Sequence, residues 1–559
     1  MADSADPLFA GLDVSTVAEG SADIPLFAGL DVSTQSCKLV VIEAASGALV
    51  HVDQVVYDRD LPHFGTVGGV IPGLGEGVSE SDPRMWIEAV EAVLGRLADA
   101  EWQRERIRCI SVSGQQHGLV SLASDGSLAR PRSKLWNDFS TGEECQLLTD
   151  AVGGPEAMIA AVGNTQRTGY TAPKILHMRR REPEAYERAA TLFLVHNYIN
   201  WHLTGGPGGG VTVMEPGDTS GMALWHPESG RWSRRVMEAI DPDLGRRLPS
   251  VRPSDRTIGS LSPALAARFG LSSECRIDAG SGDNMYGAIG TGNIEPGIVT
   301  VSLGTSGTAY TFLEEPFIDP AGEIAAFADS TGHHLPLLCV SNMANGYDAF
   351  REEFELTHAE FDDLVRNTPV GNEGRLLLPW YVGERTPDLP LAAPLYFGFG
   401  ASEFQPHYLA RAVLEGHVLN LFDGFQRMPV TPREIRLTGG LSHSPSWCQA
   451  IADAFQAETV PVRGEGAALG AAIHAAWVWQ NEEGPEDPGR EADLSTLREI
   501  ANHFVAFDEG RRAKPDPGAR PKALLLHRLF RALSRRARGE EAEDPFLLRQ
   551  QLLDSGVGP

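Results

Sequence analysis

Two stretches in different halves of this chain share one plan, in which an apolar strand, a short polar turn and a second apolar strand follow one another. The first, LFAGLDVSTQSCKLVVIE, covers residues 26–43, and the second, IVTVSLGTSGTAY, covers residues 298–310. Runs of β-branched residues bounded by glycine, serine and threonine are typical of β-hairpins. Because one such hairpin opens each half, the sequence predicts an internally duplicated α/β protein.

The residues in the two turns are suited to binding phosphate groups. Asp31 and Thr34 lie in the first turn, and Gly304 and Thr305 lie in the second. Glycines let backbone N–H groups converge on an anion, hydroxyl groups add donors, and one carboxylate can hold Mg²⁺, usually through water. Each turn alone is also consistent with an ordinary polar turn. Together they predict a clamp for a nucleoside triphosphate.

A third glycine-containing segment, residues 435–458, resembles a strand followed by a helix, with Gly439 and Gly440 between them. Glycines at this place allow a ligand to approach the start of the helix, although glycine after a strand is also routine turn chemistry. Residues 81–100 and 464–479 have the patterns of packed helices. We expect only packing roles for those two segments.

The sequence PLFAGLDVST occurs twice, at residues 7–16 and at residues 25–34. The second copy continues into an apolar strand, whereas the first is followed by the small and acidic stretch VAEGSADI, which has no periodicity. We therefore interpret residues 1–24 as a duplicated tail outside the fold. The alternative, in which the first copy forms an edge strand, stays open.

Composition limits the class of protein and its partners. A chain of 559 residues is too long for one hydrophobic core and predicts two large domains. A formal charge of −28 disfavours nucleic acid and anionic membrane surfaces as partners. The six cysteines form no CxxC pair, as expected for reduced thiols in the cytoplasm. The acidic start is unlike a signal peptide, and no apolar run has the length of a membrane span.

The candidate for the chemical centre is GSGDN at residues 280–284, near the junction of the two halves. Asp283 in this glycine frame is either a turn residue or a carboxylate that accepts the proton of an attacking hydroxyl group. Three other polar clusters, at residues 114–118, 136–138 and 163–174, could line the same cleft. Each of them has an equally good interpretation as a polar loop or a buried side chain.

In this order, over roughly residues 25–535, the segments resemble the FGGY family of carbohydrate kinases, and among them the pentulose kinases. The resemblance rests on LDVSTQ, GQQHG, WND, TGYTAPK, GSGDN, SLGTSG, LPWYVGERTP and TGGLSHSPSWCQAIAD. Ser33, Gln116 and Leu441 depart from the residues that bacterial members usually have at these positions. The first two also occur in animal-type members.

The resemblance implies an α/β fold of two ribonuclease-H-like domains, of the actin and hexokinase type, with a cleft between them. Residues 25–282 would form the N-terminal sugar-binding domain, residues 283–535 the C-terminal ATP-binding domain, and residues 536–559 a tail. Family roles are then expected for the following residues: Asp283 as catalytic base; Gln116, His117, Asn284 and Arg167 with Asp283 at the sugar; Asp31 at Mg²⁺; Thr34, Gly304, Thr305, Gly439, Gly440 and Ser444 at ATP.

The expected reaction is the phosphorylation of a pentulose by ATP with Mg²⁺. Two alternatives stay open: a kinase of the same family that acts on another polyol, and a sensor of sugar that has lost catalysis. An intact Asp283 favours an enzyme over a sensor. The expected partners are the sugar and ATP, without nucleic acid or membrane, and a homodimer is allowed.

Overall fold

The structure is a computed structural model that describes residues 24–98, 104–464, 466–483 and 493–555. Apart from Ile24, the tail predicted for residues 1–24 lies outside these described residues. Among the helices of the described ranges, none is both long enough and apolar enough to cross a membrane. All six cysteines are described, and all are free thiols.

The strands of the described residues are numbered in chain order. They are β1 Leu26–Val32, β2 Ser36–Glu43, β3 Ala48–Val56, β4 Glu80–Ser81, β5 Ile107–Gly114, β6 Val120–Leu122, β7 Ser133–Lys134, β8 Thr191–Phe193, β9 Val213–Met214, β10 Trp225–His226, β11 Arg231–Trp232, β12 Ser250–Val251, β13 Thr257–Ser260, β14 Arg276–Asp278, β15 Ser281–Gly282, β16 Ile298–Leu303, β17 Gly307–Thr311, β18 Leu337–Val340, β19 Leu376–Leu378, β20 Leu395–Phe397, β21 Glu434–Thr438, β22 Glu458–Arg463 and β23 Ala506–Phe507.

The α-helices are numbered in the same way. They are α1 Tyr57–Asp60, α2 Pro83–Ala98, α3 Gly142–Ala151, α4 Pro155–Val162, α5 Thr171–Arg181, α6 Pro183–Arg188, α7 Val195–Leu203, α8 Pro216–Ser220, α9 Arg234–Ile240, α10 Pro263–Phe269, α11 Asp283–Gly290, α12 Ala344–Glu353, α13 His358–Arg366, α14 Pro406–Phe425, α15 Pro445–Phe455, α16 Gly466–Glu483, α17 Leu494–Phe504, α18 Arg520–Ala537 and α19 Pro545–Asp554.

The chain forms two compact units, and neither is a continuous stretch of sequence. The first unit contains the residues up to Ile294 together with Leu313–Leu335 and Gly464–Val505. The second contains Glu295–Phe312, Pro336–Arg463 and the residues from Ala506 onward. The expected division near residue 283 differs from this one, because α11 and α16 pack on the sheet of the first unit.

The sheet of the first unit has the order β13-β14-β5-β1-β2-β3, and β15 pairs with the end of β5. Strand β2 pairs antiparallel with both β1 and β3, whereas β5 runs parallel to β1, and β14 runs parallel to β5. The strands β1 and β2 are buried along nearly all of their length. Their continuous apolar runs, rather than alternating ones, reflect helices that cover both faces of the sheet.

Helices α2 and α16 bury the apolar sequence of this sheet. The predicted apolar face of α2 is fully buried and includes Trp86, Val90 and Val93. The small residues of α16 let its backbone lie close to β1, where a β-carbon on Gly29 would be 2.1 Å from the carbonyl oxygen of Ala468. The packing role expected for both helices is confirmed.

The sheet of the second unit has the order β18-β17-β16-β21-β22-β23. As in the first unit, three antiparallel strands, β18, β17 and β16, are followed by two parallel ones, β21 and β22. This shared succession is the ribonuclease-H-like topology, and it confirms both the predicted hairpins and the internal duplication. The predicted strand at residues 435–438 and the helix after it are present as β21 and α15.

Two helices end the described chain. The basic segment before residue 537 forms α18, whose apolar residues Leu529 and Phe530 are buried. Residues 545–554, which the sequence assigned to a tail, form α19 with Leu548 and Leu552 buried. Leu548 and Leu552 lie one turn apart on the same face of α19, and this apolar face is buried.

Candidate active site

Asp31 lies at the carboxyl end of β1, because this strand extends to Val32 and leaves only residues 33–35 in the turn. It pairs in register with Ser113 of the parallel strand β5, and the Ser113 hydroxyl donates to Asp31 Oδ1 at 2.8 Å. Ligand sites of α/β sheets lie at the carboxyl ends of neighbouring parallel strands. Asp31 and the GQQHG segment after β5 meet at such an edge.

Thr34 lies in the turn itself. Its hydroxyl donates to Gln115 Oε1 at 3.2 Å and accepts a hydrogen bond from the indole of Trp136 at 3.0 Å. Trp136 belongs to the WND segment and is partly exposed. The structure therefore brings the first turn, GQQHG and WND together in the first unit.

Asp283 is the first residue of α11 and directly follows β15, whose Ser281 pairs with Ser113. The sequence suggested a glycine-framed loop, but a strand end and a helix start hold this residue. Its Oδ1 atom accepts hydrogen bonds from the backbone N–H of Asn284 at 2.9 Å and from the Asn284 amide at 3.1 Å. The start of a helix also favours negative charge.

The carboxyl group of Asp283 is a weaker acid than an ordinary aspartate. Burial and the nearby carboxylates of Asp31 and Asp218 raise its pKa to about 8, against a smaller opposing effect of the Asn284 N–H. A carboxylate with a pKa near the working pH is suited to accept a proton.

Two residues expected at the sugar lie beside Asp283. The Asn284 amide donates to Gln116 Oε1 at 2.7 Å, and Gln116 Nε2 contacts the sulfur of Met285 at 3.3 Å. A β-carbon on Gly282 would be 2.7 Å from Gln116 Cγ, so the Gln116 side chain would have to move to admit one. GQQHG and GSGDN thus form one polar group.

His117 has a strained backbone, with φ of 64° in the left-handed region. Its carbonyl oxygen accepts hydrogen bonds from Thr171 Oγ1 at 3.2 Å and from Lys174 Nζ at 2.7 Å. The imidazole ring lies edge-on to Tyr170, with centroids 4.8 Å apart. Left-handed non-glycine residues cost free energy, so surrounding contacts must hold them.

Lys174 supplies one of those contacts and was not identified from the sequence. Its ammonium group is fully buried and also donates to the carbonyl oxygen of Gly169 at 2.6 Å. Burial lowers its pKa to about 7, while the Asp138 and Asp218 carboxylates oppose the effect. A lysine within the otherwise apolar start of α5 was the signal for a buried ammonium group.

Two further buried ionisable residues, His196 and Glu215, lie close to Asp218 on the short helix α8. Asp218 Oδ2 lies 3.2 Å from His196 Nδ1, and His196 Nε2 lies 3.7 Å from Glu215 Oε1. Glu215 accepts hydrogen bonds from the backbone N–H groups of Gly217 and Asp218, and burial raises its pKa. A β-carbon on Gly221 would be 2.4 Å from His117 Cε1, so this helix packs against the GQQHG loop.

Arg167 lies in the loop before α5 and is half-buried. Its guanidinium group donates to the carbonyl oxygen of Gly322 at 3.0 Å and to Thr165 Oγ1 at 3.3 Å. Its contact with Gly322 joins the loop before α5 to the 313–335 segment of the same unit.

The residues expected at ATP lie in the second unit. Gly304 and Thr305 form the β16–β17 turn, and their carbonyl oxygens accept hydrogen bonds from the start of α12, from Ala344 N at 3.0 Å and Met343 N at 3.2 Å. Thr305 is exposed.

Gly439 and Gly440 follow β21, next to this turn in the sheet, and are exposed. Gly439 has φ of 83°, and a β-carbon there would be 2.7 Å from the backbone of Leu303, so the fold itself requires this glycine. Gly440 has open space around it. Ser444 caps α15, and its hydroxyl donates to Asp362 Oδ1 at 2.6 Å.

Within the described ranges, no group of three or more His, Cys, Asp or Glu side chains is arranged to hold a metal ion.

Comparison with known proteins gives the family. The model of the N-terminal domain of the FGGY family of carbohydrate kinases matches residues 26–290, and the model of its C-terminal domain matches residues 299–479. The chain belongs to the FGGY family of carbohydrate kinases. As an FGGY protein it is an enzyme that phosphorylates a carbohydrate, and the family resemblance and the fold class inferred from the sequence are confirmed.

Individual FGGY proteins are similar to this one over most of their length. A xylulose kinase of Haemophilus influenzae is 34% identical over 453 residues, which cover 79% of this chain and 88% of that protein. A xylulose kinase of Streptomyces coelicolor is 32% identical over 515 residues, covering 88% and 95%. The ligand-bound crystal structure of a xylulose kinase from Lactobacillus acidophilus has a TM-score of 0.80 at 22% identity, covering 92% and 98%.

Proposed function

We propose that this FGGY kinase transfers the γ-phosphoryl group of ATP to O5 of D-xylulose and forms D-xylulose 5-phosphate. The observation that carries this proposal is the similarity to two xylulose kinases, at 34% and 32% identity over most of the chain. The grouping of Gln116, Asn284 and Asp283 in the first unit supports it, since a polyol needs several polar partners around one base.

Asp283 would act as the general base. As O5 attacks the γ-phosphorus, the O5–H proton passes to the Asp283 carboxylate, the O5–P bond forms, and the bond to the β,γ-bridging oxygen breaks to release ADP. A carboxyl group whose pKa is raised to about 8 holds such a proton more readily than an ordinary aspartate does.

Gln116, His117 and Asn284 would bind the remaining hydroxyl groups of the sugar, and Arg167 is a further candidate contact. The chemistry of the sugar adds a condition. Because O5 closes the furanose ring of xylulose, this oxygen can attack only in the open-chain ketose. The site would therefore bind the extended chain.

ATP would be bound by Gly304, Thr305, Gly439, Gly440 and Ser444, with Thr34 at the phosphates. Asp31 would hold Mg²⁺, and its single carboxylate fits an ion that takes one or two carboxylates and completes its shell with phosphate and water. The ion, when bound, neutralises charge on the phosphates. Ser113, which donates to Asp31 Oδ1, would fix the orientation of that carboxylate.

The location and assembly of the protein belong to the same proposal. We place it in the cytoplasm, which the six free cysteines support. The charge of −28 leads us to expect no nucleic acid partner, and a homodimer is an assembly to be tested.

A panel of acceptor sugars tests the proposed substrate. Formation of ADP is measured with D-xylulose, ribulose, other pentuloses, hexuloses, gluconate and glycerol under identical conditions. The expected result is the highest kcat/KM with D-xylulose and a product phosphorylated at O5, identified by NMR. A higher kcat/KM with glycerol, gluconate or ribulose would replace D-xylulose as the proposed substrate, and no turnover with any of these acceptors would rule out the whole set.

A further inference from the structure

His474 lies in the middle of α16 and is fully buried, within a helix whose sequence otherwise predicts only packing. Its Nε2 atom lies 2.8 Å from the backbone carbonyl oxygen of Ser330, and its Nδ1 atom lies 2.8 Å from Asp278 Oδ2. The three residues come from distant parts of the first unit. A buried ionisable side chain with two short polar contacts connects the segments that it touches, in addition to packing in the core.

The two contacts limit where the protons of the ring lie. A carbonyl oxygen only accepts hydrogen bonds, so Nε2 must carry a hydrogen toward Ser330. Nδ1 faces a carboxylate oxygen, and a bare nitrogen lone pair would repel it at 2.8 Å. A proton therefore lies between Nδ1 and Asp278 Oδ2, and the raised pKa of His474 favours the form in which the ring holds it, an imidazolium beside a carboxylate.

The electrostatics agree with this geometry. Burial alone would lower the pKa of His474, but the Asp278 carboxylate, the Ser330 carbonyl group and Glu215 together raise it. A further ionisable group facing the ring is Tyr286, whose hydroxyl oxygen lies 3.3 Å from Nδ1 and accepts a hydrogen bond from Ser111 at 2.7 Å. Burial and Asp278 raise the pKa of Tyr286, so its neutral form persists beside the ring.

Two of the residues that contact His474 lie on either side of Asp283 in the sequence. Asp278 ends β14 five residues before Asp283, and its Oδ1 atom accepts a hydrogen bond from Gly280 N at 2.8 Å. Tyr286 lies in the first turn of α11, three residues after Asp283. His474 thus contacts both sides of the segment that carries the candidate base, while Ser330 fixes the ring from the opposite side.

We propose that His474 is a positioning residue for the sugar-kinase reaction, which as a buried imidazolium holds the segment from Asp278 to Tyr286 and so fixes the carboxyl group of Asp283. The inference rests on the proposed role of Asp283. His474 does not touch the substrate. Its effect is on the geometry of transfer, and displacement of a reacting group by 1 Å can cost about 100-fold in rate.

The first test measures the protonation of His474 directly in the full-length protein. Histidine side chains are labelled with ¹⁵N, and the His474 signals are assigned by their loss in His474→Gln. The expected result is that His474 keeps a proton on both ring nitrogens to a higher pH than exposed histidines do. A single protonated nitrogen at pH 6 would overturn the assignment of an imidazolium.

The second test measures the consequence for catalysis. His474→Gln should lower kcat about 10- to 100-fold, with the dissociation constant of D-xylulose within about twofold of wild type. Ile473→Val and Ile473→Ala are matched controls, because Ile473 is the adjacent buried residue of α16 and has no part in these contacts. They show how much kcat falls through lost stability alone.

Two results of the second test would overturn the positioning role. One is an unchanged kcat in His474→Gln, and the other is a loss no greater than that of an equally destabilised Ile473 variant. The panel of acceptor sugars separates a failure of the positioning role from a failure of the proposed function. If another polyol is the better substrate of wild type, the same comparison of variants is made with that polyol. Activity of Asp283→Asn equal to that of wild type would exclude Asp283 as the general base, whatever the result for His474→Gln.

Discussion

The ammonium nitrogen of Lys174 lies 2.7 Å from the carbonyl oxygen of His117, a residue whose backbone is in the left-handed region. This buried hydrogen bond joins α5 to the loop that follows β5, and Thr171 from the same helix donates to the same oxygen. The conformation of the loop is therefore determined by a helix more than fifty residues away in the sequence.

Lys174→Met tests this contact. Methionine keeps the length of the side chain but donates no hydrogen bond, so the carbonyl oxygens of Gly169 and His117 each lose a donor. We expect a loss of about 1–3 kcal/mol in the free energy of unfolding and a raised KM for the sugar with little change in the KM for ATP. Denaturant unfolding and steady-state kinetics measure the two effects. Equal rises in both KM values would contradict a local effect on His117.

Asp283→Asn tests the general base. Asparagine keeps the shape of the side chain and its hydrogen bonds but cannot accept the proton, so turnover should fall about 10² to 10⁴-fold. The fall will be at the low end if positioning of the hydroxyl group contributes most, because phosphoryl transfer has a loose transition state. Calorimetry with D-xylulose should show nearly normal binding. Activity within a few-fold of wild type would exclude Asp283, and lost sugar binding would make it a structural residue.

The two copies of PLFAGLDVST allow a matched pair of substitutions. Asp31→Ala removes the carboxylate proposed for Mg²⁺ and should lower kcat by at least about 100-fold. Asp13→Ala changes the equivalent residue of the first copy, which lies outside the described residues, and should leave kcat unchanged. A chain that begins at Asp23 should keep full activity and the same Tm. Equal losses from both substitutions, or a large fall in Tm on truncation, would show that the first copy is needed.

Gly29→Ala tests the close packing of α16 on β1. The added β-carbon would lie 2.1 Å from Ala468 O and 2.3 Å from Ala472 N, and these backbone atoms cannot move without displacing the helix. We expect a loss of about 1–3 kcal/mol or more in stability. Gly208→Ala is the control, because Gly208 is exposed and a β-carbon there meets nothing within 4 Å. Similar Tm values for the two variants would refute the packing.

The imidazolium of His474 predicts a dependence of stability on pH. Because its folded-state pKa is raised, the ion pair with Asp278 stabilises the fold fully below the unfolded pKa of about 6.5, and this contribution is lost as pH rises through the folded-state value. The difference in unfolding free energy between wild type and His474→Gln should therefore be largest at pH 6 and shrink in the alkaline range. A difference that grows with pH would contradict the charged pair.

The sequence by itself determined the elements whose signals are local. The two hairpins, the strand and helix around Gly439, and the buried face of α2 follow from runs of apolar residues and from glycine and hydroxyl residues at their ends. Such patterns are set by neighbours a few residues apart, because side chains alternate along strands and recur along helices with fixed periods. The motifs around Asp31, Gln116 and Asp283 are local in the same sense, and they were sufficient to indicate the family.

Only the tertiary structure decided which of these segments meet and which unit holds them. Helix α16 lies within the predicted ATP-binding domain in the sequence but packs on β1 of the first unit, because Gly29 leaves room for its backbone. The raised pKa of Asp283, the buried ammonium of Lys174 and the ion pair of His474 with Asp278 all depend on groups brought together from distant parts of the chain. Burial and charge act through space, so residues without a motif of their own acquire their chemistry only when the chain has folded.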